Sequence, residues 1–235
     1  MNSVLGNVWH LLNPILSIAT YFVIFGIMLQ TDRGVENFLA FLAIGVFVYQ
    51  FTQKSTVSSA RSLARNHNLI RSINFPRALV VLTTVFAEAL AFLPGVVVFL
   101  AVAFAAGESP TLRWLALVPL FFLQIFFNAG IGFVAARANH AFRDLQNFLP
   151  FMFRLLFYGS GILFSVDAYL AARGAEEFRW LFYLNPIFDL VELYRWAVLG
   201  TSGAIGEVVV LAIMTMVSFV FGFAWFRRAE ATYGA

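Results

Sequence analysis

The chain lacks cysteine altogether, and Lys54 is the one lysine among its fifteen basic residues. The absence of cysteine excludes disulfide bonds, thiolate metal ligands and a cysteine nucleophile. Charged residues are also scarce: they make up 11% of the chain, against about 25% in an ordinary soluble domain. Since 61% of the 235 residues are hydrophobic, the composition predicts a single integral membrane domain over residues 1–235.

Signatures of catalysis are missing as well. A P-loop requires G-x-x-x-x-G-K-[ST], but Gln53 precedes Lys54 and Ser55 where the motif needs glycine. The sequence contains neither H-E-x-x-H nor G-x-S-x-G, and its histidines stand far apart at positions 10, 67 and 140. We therefore predict that this chain is not an enzyme and holds no catalytic residue, metal or cofactor, and that energy for its work comes from a partner or from an ion gradient.

Long apolar runs make up most of the sequence. Runs of about 17 to 25 such residues are typical of transmembrane helices. They predict six spans, near residues 8–30, 37–53, 78–106, 112–136, 145–166 and 205–226. Pro150, Gly159 and Gly161 interrupt the fifth run, so we expect a broken helix there.

The direction of insertion follows from the distribution of arginine and lysine. The loop after the second predicted span holds five basic residues and no acid: Lys54, Arg61, Arg65, Arg71 and Arg77. The loops 31–36, 107–113 and 167–207 hold nine acidic residues against five arginines. By the positive-inside rule, both termini and the basic loop are predicted to be cytoplasmic in a bacterial inner-membrane protein.

The basic loop is longer than membrane anchoring requires. Within it, residues 66–73 read NHNLIRSI and predict a short amphipathic helix along the membrane surface. Such a helix is a natural docking surface, whereas a plain loop would only anchor the chain to anionic headgroups. The pattern alone leaves both interpretations open.

Three stretches together resemble the permease subunits of polysaccharide ABC exporters, the family that moves O-antigen, teichoic-acid and galactan chains. They are SVLGNVWHLLNPIL at 3–16, NLIRSINFPRALVVLTTV at 68–85 and LNPIFDLVELYRWAVLG at 184–200. The resemblance extends over residues 3–228 in matching order and spacing. It departs from the family at the N-terminus, where the usual amphipathic helix before the first span is expected to be missing.

The resemblance implies a homodimer that works with two copies of a separate ATPase, which would bind ATP and magnesium. It further implies re-entrant helices on the outer face at about 185–200 and a coupling helix received by the ATPase. The implied coupling residues are Asn66, His67, Asn68, Leu69, Ile70, Arg71 and Ser72. The expected partners are therefore a second copy, the ATPase, a lipid-linked polysaccharide and membrane lipids, with no nucleic acid.

Two charged residues lie deep inside predicted spans. Glu88 and Arg154 are each about 14 to 17 Å from the cytoplasmic end of their span, and exposure of either charge to lipid would cost about 2.5 to 3.5 kcal/mol or more. We consider three roles: a Glu88–Arg154 pair, an Arg154 contact to the phosphate of a lipid-linked glycan, and snorkelling of Arg154 to the interface.

Aromatic residues make up 17% of the chain. Because sugars stack their C–H faces on aromatic rings, an aromatic path suits a moving glycan. Lipid-facing or interfacial positions explain the same residues equally simply. The candidates for a glycan path are Tyr21, Phe25, Tyr49, Phe51, Phe153 and Tyr158.

The segment before the last span carries charges at every third position, Asp189, Glu192 and Arg195. These three residues can share one helix face. The pattern predicts either a surface helix or a helix dipping into the outer leaflet.

We interpret the sequence as the permease of an ATP-driven exporter of lipid-linked polysaccharide. Low lysine content favours an actinobacterial cell-wall galactan as substrate, with an O-antigen-like glycan next. The alternatives are a drug or small-lipid exporter permease, a membrane-embedded glycan transferase and a structural membrane scaffold.

Overall fold

A computed structural model describes residues 9–28, 35, 37–73, 75–201, 205–230 and 233. Within these residues the structure contains helices and connecting segments and no strand. The α-helices are α1 (Trp9–Tyr21), α2 (Phe38–Arg65), α3 (His67–Ser72), α4 (Ala78–Ala105), α5 (Leu117–Ala141), α6 (Leu145–Gly159), α7 (Val166–Ala171), α8 (Pro186–Leu199) and α9 (Ile205–Arg228). A π-helical segment, Phe22–Met28, continues α1, and 3₁₀ segments cover Leu112–Ala116 and Glu176–Leu184.

The long helices run alternately between two ends of a bundle. At one end the side chain of Asn37, before α2, donates a hydrogen bond to Glu108, after α4, at 2.7 Å. At the other end Asn139 of α5 donates to the carbonyl of Ala60 in α2 at 2.8 Å. We call these the α8 end and the α3 end, because α8 lies at the first and α3 at the second.

Three helical stretches are long and apolar enough to cross a membrane: Ala78–Ala105, Leu112–Ala141 and Gly206–Arg228. They correspond to the predicted third, fourth and sixth spans. A shorter apolar stretch, Ile15–Ile27, lies within the predicted first span. The N-terminal residues 1–8, including the start of the 3–16 stretch, lie outside the described residues.

The central helix α2 differs from its prediction. We expected a span that ended near residue 53, but α2 has 28 residues and continues to Arg65, a length of about 42 Å. Its second half carries serine and threonine residues, of which Ser55, Thr56 and Ser59 are buried. Because these side chains face neighbouring helices and not lipid, this half of α2 does not need an apolar sequence.

A ladder of amides joins α5 to α2. The buried Gln124 donates hydrogen bonds to the carbonyl of Val48 and the hydroxyl of Thr52, both at 3.0 Å. One turn later Asn128 donates to Ser55 at 3.4 Å. In a membrane, apolar side chains gain little by leaving lipid for a neighbouring helix. Hydrogen bonds between polar side chains therefore help to hold the helices together.

Two glycines set the distance between α5 and α9. A Cβ on Gly130 would lie 2.5 Å from the backbone of Phe219, and a Cβ on Gly222 would lie 2.3 Å from the carbonyl oxygen of Gly130. The two backbones are therefore in direct contact. This approach is the familiar use of small residues between transmembrane helices.

The predicted fifth span is broken, as expected from its glycines. The helix α6 passes through Pro150 and ends at Gly159, and Gly161 adopts a positive φ of 61° in the following turn. The next helix, α7, begins at Val166, where the Ser165 side chain accepts a hydrogen bond from the amide of Ala168. The chain then returns toward the bundle through α8, which starts with an Asn185 cap and Pro186 and ends before Gly200 in the left-handed region.

Candidate functional site

The predicted amphipathic segment forms the short helix α3 at the end of α2. Ile70 is its buried residue, at 4% exposure, whereas Asn68, Leu69 and Arg71 are exposed. The residues predicted for coupling therefore lie on one element, with Asn66 joining it to α2 and His67 and Ser72 at its ends.

A small hydrophobic cluster anchors α3. It combines Ile70 with Leu63 of α2, Val81 of α4, Phe133 of α5 and Phe226 of α9. The buried side of α3 thus belongs to a cluster to which four long helices contribute. Movement of α3 would be transmitted through this cluster, because packed side chains transmit strain.

Residues after α9 join the same end of the bundle. Glu230 accepts a hydrogen bond from the backbone amide of Arg77 at 2.8 Å, directly before α4. Tyr233 is buried and donates to the carbonyl of Phe226 at 2.8 Å, and its ring meets the edge of His140 at 5.0 Å between centroids. The connection between α3 and α4 is therefore fixed from the C-terminal side.

Glu88 lies on α4 against α2. It accepts a hydrogen bond from Ser58 at 2.8 Å and shares with Lys54 the lining of a small cavity of about 20 Å³. Such a volume is enough for one water molecule between polar groups. Lys54, which the sequence assigned to a loop, is therefore part of α2 and is the basic residue beside Glu88.

The structure does not bring Glu88 and Arg154 together. None of the ion pairs among the described residues joins them, and Arg154 is exposed on α6. It is the tenth residue of that helix, about 14 Å from its start. Its depth agrees with the prediction, but its neighbours are different: Arg154 acts electrostatically on Tyr21 and Tyr49.

Several predicted path aromatics form a row across α1, α2 and α6. The rings of Tyr21 and Tyr49 lie 5.2 and 5.1 Å from Phe157 between centroids, and the Tyr49 hydroxyl donates to the carbonyl of Phe153 at 2.5 Å. The exposed ring of Tyr158 follows at 5.5 Å from Phe157. Sequence reasoning missed Phe157, although it is four residues after Phe153 and so shares its helix face.

The two remaining candidates occupy different surroundings. Phe25 is half-buried and pairs with Tyr21 at 6.4 Å between centroids, at the edge of the aromatic row. Phe51 is 2% exposed and stacks on Phe92 at 4.8 Å, with Phe121 beyond it at 6.2 Å. Phe51 is therefore a core residue, separated from the row.

An apolar cavity of about 530 Å³ borders the aromatic row. Phe153 belongs to both, and the remaining lining comes mainly from aliphatic and aromatic side chains of α5, α6 and the start of α8. Its volume is in the range of small-molecule sites, about 300 to 1,000 Å³. The cavity is suited to an apolar ligand and places it beside the helix that carries Arg154.

The charged helix α8 is largely buried, which contradicts the surface-helix alternative and leaves a helix dipping into the outer leaflet as a prediction. Asp189 and Arg195 are both 0% exposed. The guanidinium of Arg195 donates to the carbonyls of Phe41, Gly161 and Ile162 at 2.9 to 3.3 Å and to Glu192 at 2.8 Å. Because one side chain satisfies these groups, it fastens α8 to the start of α2 and to the turn after α6.

Asp189 has a different environment on the same helix. Neither of its carboxylate oxygens has a hydrogen-bond partner within the described residues. Burial, together with the nearby carboxylates of Glu207 and Glu192, raises the pKa of Asp189 to about 8. Asp189 is therefore expected to be largely protonated near neutral pH.

Metal ligation finds no support among the residues described. They contain no group of three or more histidine, cysteine or acidic side chains placed to hold a metal ion. The features that the geometry does assemble are an exposed short helix at one end, an aromatic row with an adjoining apolar cavity, and a buried polar clamp at the other end. This arrangement is that of a multi-pass helical membrane protein with a short exposed helix at the α3 end.

Comparisons with known proteins identify its class. The ABC-2 type transporter family matches residues 1–199. An O-antigen export system permease protein RfbA of Klebsiella pneumoniae is 30% identical over 232 residues, covering 97% of this chain and 86% of the relative. A second RfbA from that species is 32% identical over 198 residues, covering 83% and 73%.

A more distant relative extends the comparison. The polysialic acid transport protein KpsM of Escherichia coli is 25% identical over 231 residues, covering 96% of this chain and 86% of the relative. The chain therefore belongs to the ABC-2 type transporter family. The resemblance predicted from the three sequence stretches is confirmed.

Proposed function

We propose that this protein is the membrane subunit of an ATP-driven exporter of lipid-linked polysaccharide. The observation that carries the proposal is similarity over 97% of the chain to an O-antigen export permease, which includes both α3 and α8. The absence of a P-loop in the sequence means that ATP hydrolysis must come from another subunit. We infer a homodimer with two copies of such an ATPase.

The helix α3 is the proposed contact with that ATPase. Its exposed side chains offer a docking surface, and its buried Ile70 reaches the cluster that joins α2, α4, α5 and α9. A push on α3 would then act on a cluster to which four long helices contribute. In this proposal the α3 end faces the cytoplasm, with six crossings and both termini inside.

The proposed path for the glycan follows the aromatic row. Tyr21, Tyr49, Phe157 and Tyr158 present rings on neighbouring helices, which suits weak and repeated contacts to sugar faces. Arg154 is exposed beside this row and could pair with a lipid-linked phosphate. The apolar cavity of about 530 Å³ next to it would take part of the lipid chain.

The substrate that we favour within this class is a cell-wall galactan of actinobacteria. The support is compositional, since one lysine stands against fourteen arginines. An O-antigen-like glycan fits the same site. Depletion of the protein in its own cells should cause the lipid-linked form of the glycan to accumulate inside, and identification of that lipid-linked sugar would establish the substrate.

The coupling role is tested by Arg71→Glu in the complete complex. Reversal of an exposed charge on α3 should weaken binding of the ATPase or abolish stimulation of its ATPase activity, and glycan export should fall with it. Arg173→Glu is the matched control, because Arg173 is also exposed but lies at the α8 end. Normal assembly and export in the Arg71→Glu complex would contradict the coupling assignment.

A further inference from the structure

A polar cavity of about 420 Å³ lies at the α8 end, away from the aromatic row. Its polar lining comes from segments that are distant in the sequence: Asn37, Glu108, Ser165, Asp167, Glu192 and Thr201. The volume falls in the range of about 300 to 1,000 Å³ that small-molecule sites occupy. Unlike the apolar cavity beside α6, this one is lined by amide, hydroxyl and carboxylate groups.

Each of the three carboxylates that line the cavity contacts one partner side chain, two through a hydrogen bond and Asp167 through an ion pair. Glu108 accepts from Asn37 at 2.7 Å, Asp167 pairs with Arg179 at 3.0 Å, and Glu192 accepts from Arg195 at 2.8 Å. These bonds occupy one oxygen of each carboxylate and fix its orientation. The second oxygens have no further hydrogen bond within the described part of the chain and remain as oriented acceptors.

Thr201 adds a hydroxyl to the lining of the cavity. Its oxygen is shielded from solvent and has no hydrogen-bond partner among the residues described. A shielded polar atom without a partner is costly, by about 1 to 3 kcal/mol, and this one borders a cavity large enough for a ligand. The hydroxyl is therefore placed to complete its hydrogen bonding with a bound molecule.

The chemistry of the lining selects the class of ligand. The described residues provide no cluster of acidic or histidine side chains that would hold a metal ion, so the carboxylates are too dispersed to share a cation. The described residues of the lining include three carboxylates and no arginine or lysine, which disfavours an anion. Arg113 packs over Gly200 at the rim but is not part of the lining. The remaining ligand is an uncharged molecule rich in hydrogen-bond donors.

We propose that this cavity binds an uncharged sugar residue of the exported glycan and discriminates against acidic sugars. Sugar hydroxyls donate to the free carboxylate oxygens and exchange hydrogen bonds with Ser165 and Thr201. The inference rests on the proposed function. It deepens that function by adding a sugar site at the end opposite α3, where the glycan would leave the bundle.

Because the chain contains no cysteine, a single introduced thiol is labelled at a known position. Labelling of such a thiol tests the proposal. Ala168→Cys places a thiol on α7 in the cavity lining, and Ala172→Cys, one turn later, places one on the exposed surface. The rate of maleimide labelling is measured on the full chain in detergent with galactose, mannose, N-acetylglucosamine and glucuronic acid. At least one neutral sugar should slow labelling of Ala168→Cys several-fold and leave Ala172→Cys unchanged.

Thr201→Val then removes the hydroxyl while keeping the shape of the side chain. Combined with Ala168→Cys, it should weaken sugar protection about fivefold, the effect of one net hydrogen bond. Its apparent melting temperature should not fall, because no contact within the described protein is lost.

The outcomes test sugar binding in the cavity separately from the proposed export function. Failure of every neutral sugar to protect Ala168→Cys, equal protection of Ala172→Cys, protection by glucuronic acid equal to that by neutral sugars, or protection by calcium alone would each overturn the proposal. Export is measured independently in depleted cells. Loss of export without sugar protection would reject the cavity and keep the exporter, whereas sugar protection with normal export would support the cavity and reject the exporter.

Discussion

The two ends of the bundle are built in opposite ways. At the α3 end, a helix of six residues lies mostly exposed and reaches the interior through Ile70. At the α8 end, a helix of fourteen residues is largely buried, and Arg195 alone donates to three backbone carbonyls and Glu192. The helix α3 buries one apolar side chain, whereas α8 is fastened by charge-assisted hydrogen bonds.

This difference suits an element that receives force and an element that resists it. A thinly attached helix is able to adjust to a partner at low cost, because it contributes few of the contacts that stabilise the fold. A buried clamp holds its neighbours in one arrangement, since its carbonyl partners cannot find another donor in the interior. The comparison predicts that changes at the α8 end affect stability and that changes at the α3 end affect coupling.

The largest effect is expected from Arg195→Met, which removes the clamp and keeps an unbranched apolar stem. The carbonyls of Phe41, Gly161 and Ile162 would lose their donor and Glu192 its partner. Breaking a buried charged network costs about 3 to 5 kcal/mol, so the apparent melting temperature in detergent should fall by about 10 °C or more.

The control for the clamp is Arg173→Met, at an exposed arginine near the same end. It should remain within about 0.5 kcal/mol of the natural protein, as surface substitutions usually do. Equal melting temperatures for Arg195→Met and the natural protein would show that the α8 end is not held by this side chain.

A smaller loss is expected where α5 and α9 support the α3 end. In Gly222→Ala the new Cβ would lie 2.3 Å from the carbonyl of Gly130, so the two helices must separate. Overpacking of this kind costs about 1 to 3 kcal/mol. The shift would disturb Phe133 and Phe226, which pack in the cluster around Ile70, and should therefore speed tryptic cleavage at Arg71.

Gly206→Ala is the matched control on the same helix, because a Cβ there meets no atom within 4 Å. Its melting temperature and its cleavage at Arg71 should equal those of the natural protein. If Gly222→Ala lowered the melting temperature without any change in cleavage, the α3 end would be independent of the contact between α5 and α9.

The sequence predicted those elements whose residue pattern fits one kind of structure. Apolar runs located the long helices, and the pattern of residues 66–73 located α3, because both signals are local. It was uninformative where the environment of a polar residue depends on distant segments. The buried half of α2 resembled a loop since its serines and threonines face protein and not lipid, and the spacing of Asp189, Glu192 and Arg195 fits an exposed face equally well.

The charged candidates illustrate the same limit. Position along a helix is readable from the sequence, and Glu88 and Arg154 are the eleventh and tenth residues of α4 and α6. The partner of each depends on helix rotation and on which helices are neighbours. Glu88 turns toward α2, where it meets Ser58 and Lys54, and Arg154 turns toward the tyrosines of α1 and α2. The role of both residues in transport stays a prediction.

The smallest effect is a pH dependence confined to the α8 end. The pKa of Asp189 is raised to about 8 in the folded protein, against about 4 for an unfolded aspartate. The folded state therefore binds this proton more tightly, and the stability it contributes is fully present below about pH 4 and is lost as pH rises to about 8. The apparent melting temperature should fall by at least about 2 °C between pH 5 and pH 8.

Asp189→Asn removes this titration and keeps the shape of the side chain, so its melting temperature should change less over the same pH range. Asp144→Asn, at an exposed aspartate of the α3 end, should follow the natural protein because that carboxylate is open to solvent. If the melting temperatures of Asp189→Asn and of the natural protein changed equally with pH, Asp189 would be charged when buried. Its carboxylate would then need a hydrogen-bond donor outside the described residues. If Asp189→Asn removed the pH dependence and Asp144→Asn did not, the proton that stabilises the fold would lie on Asp189. This residue is at the α8 end, on the same helix as Arg195 and Glu192.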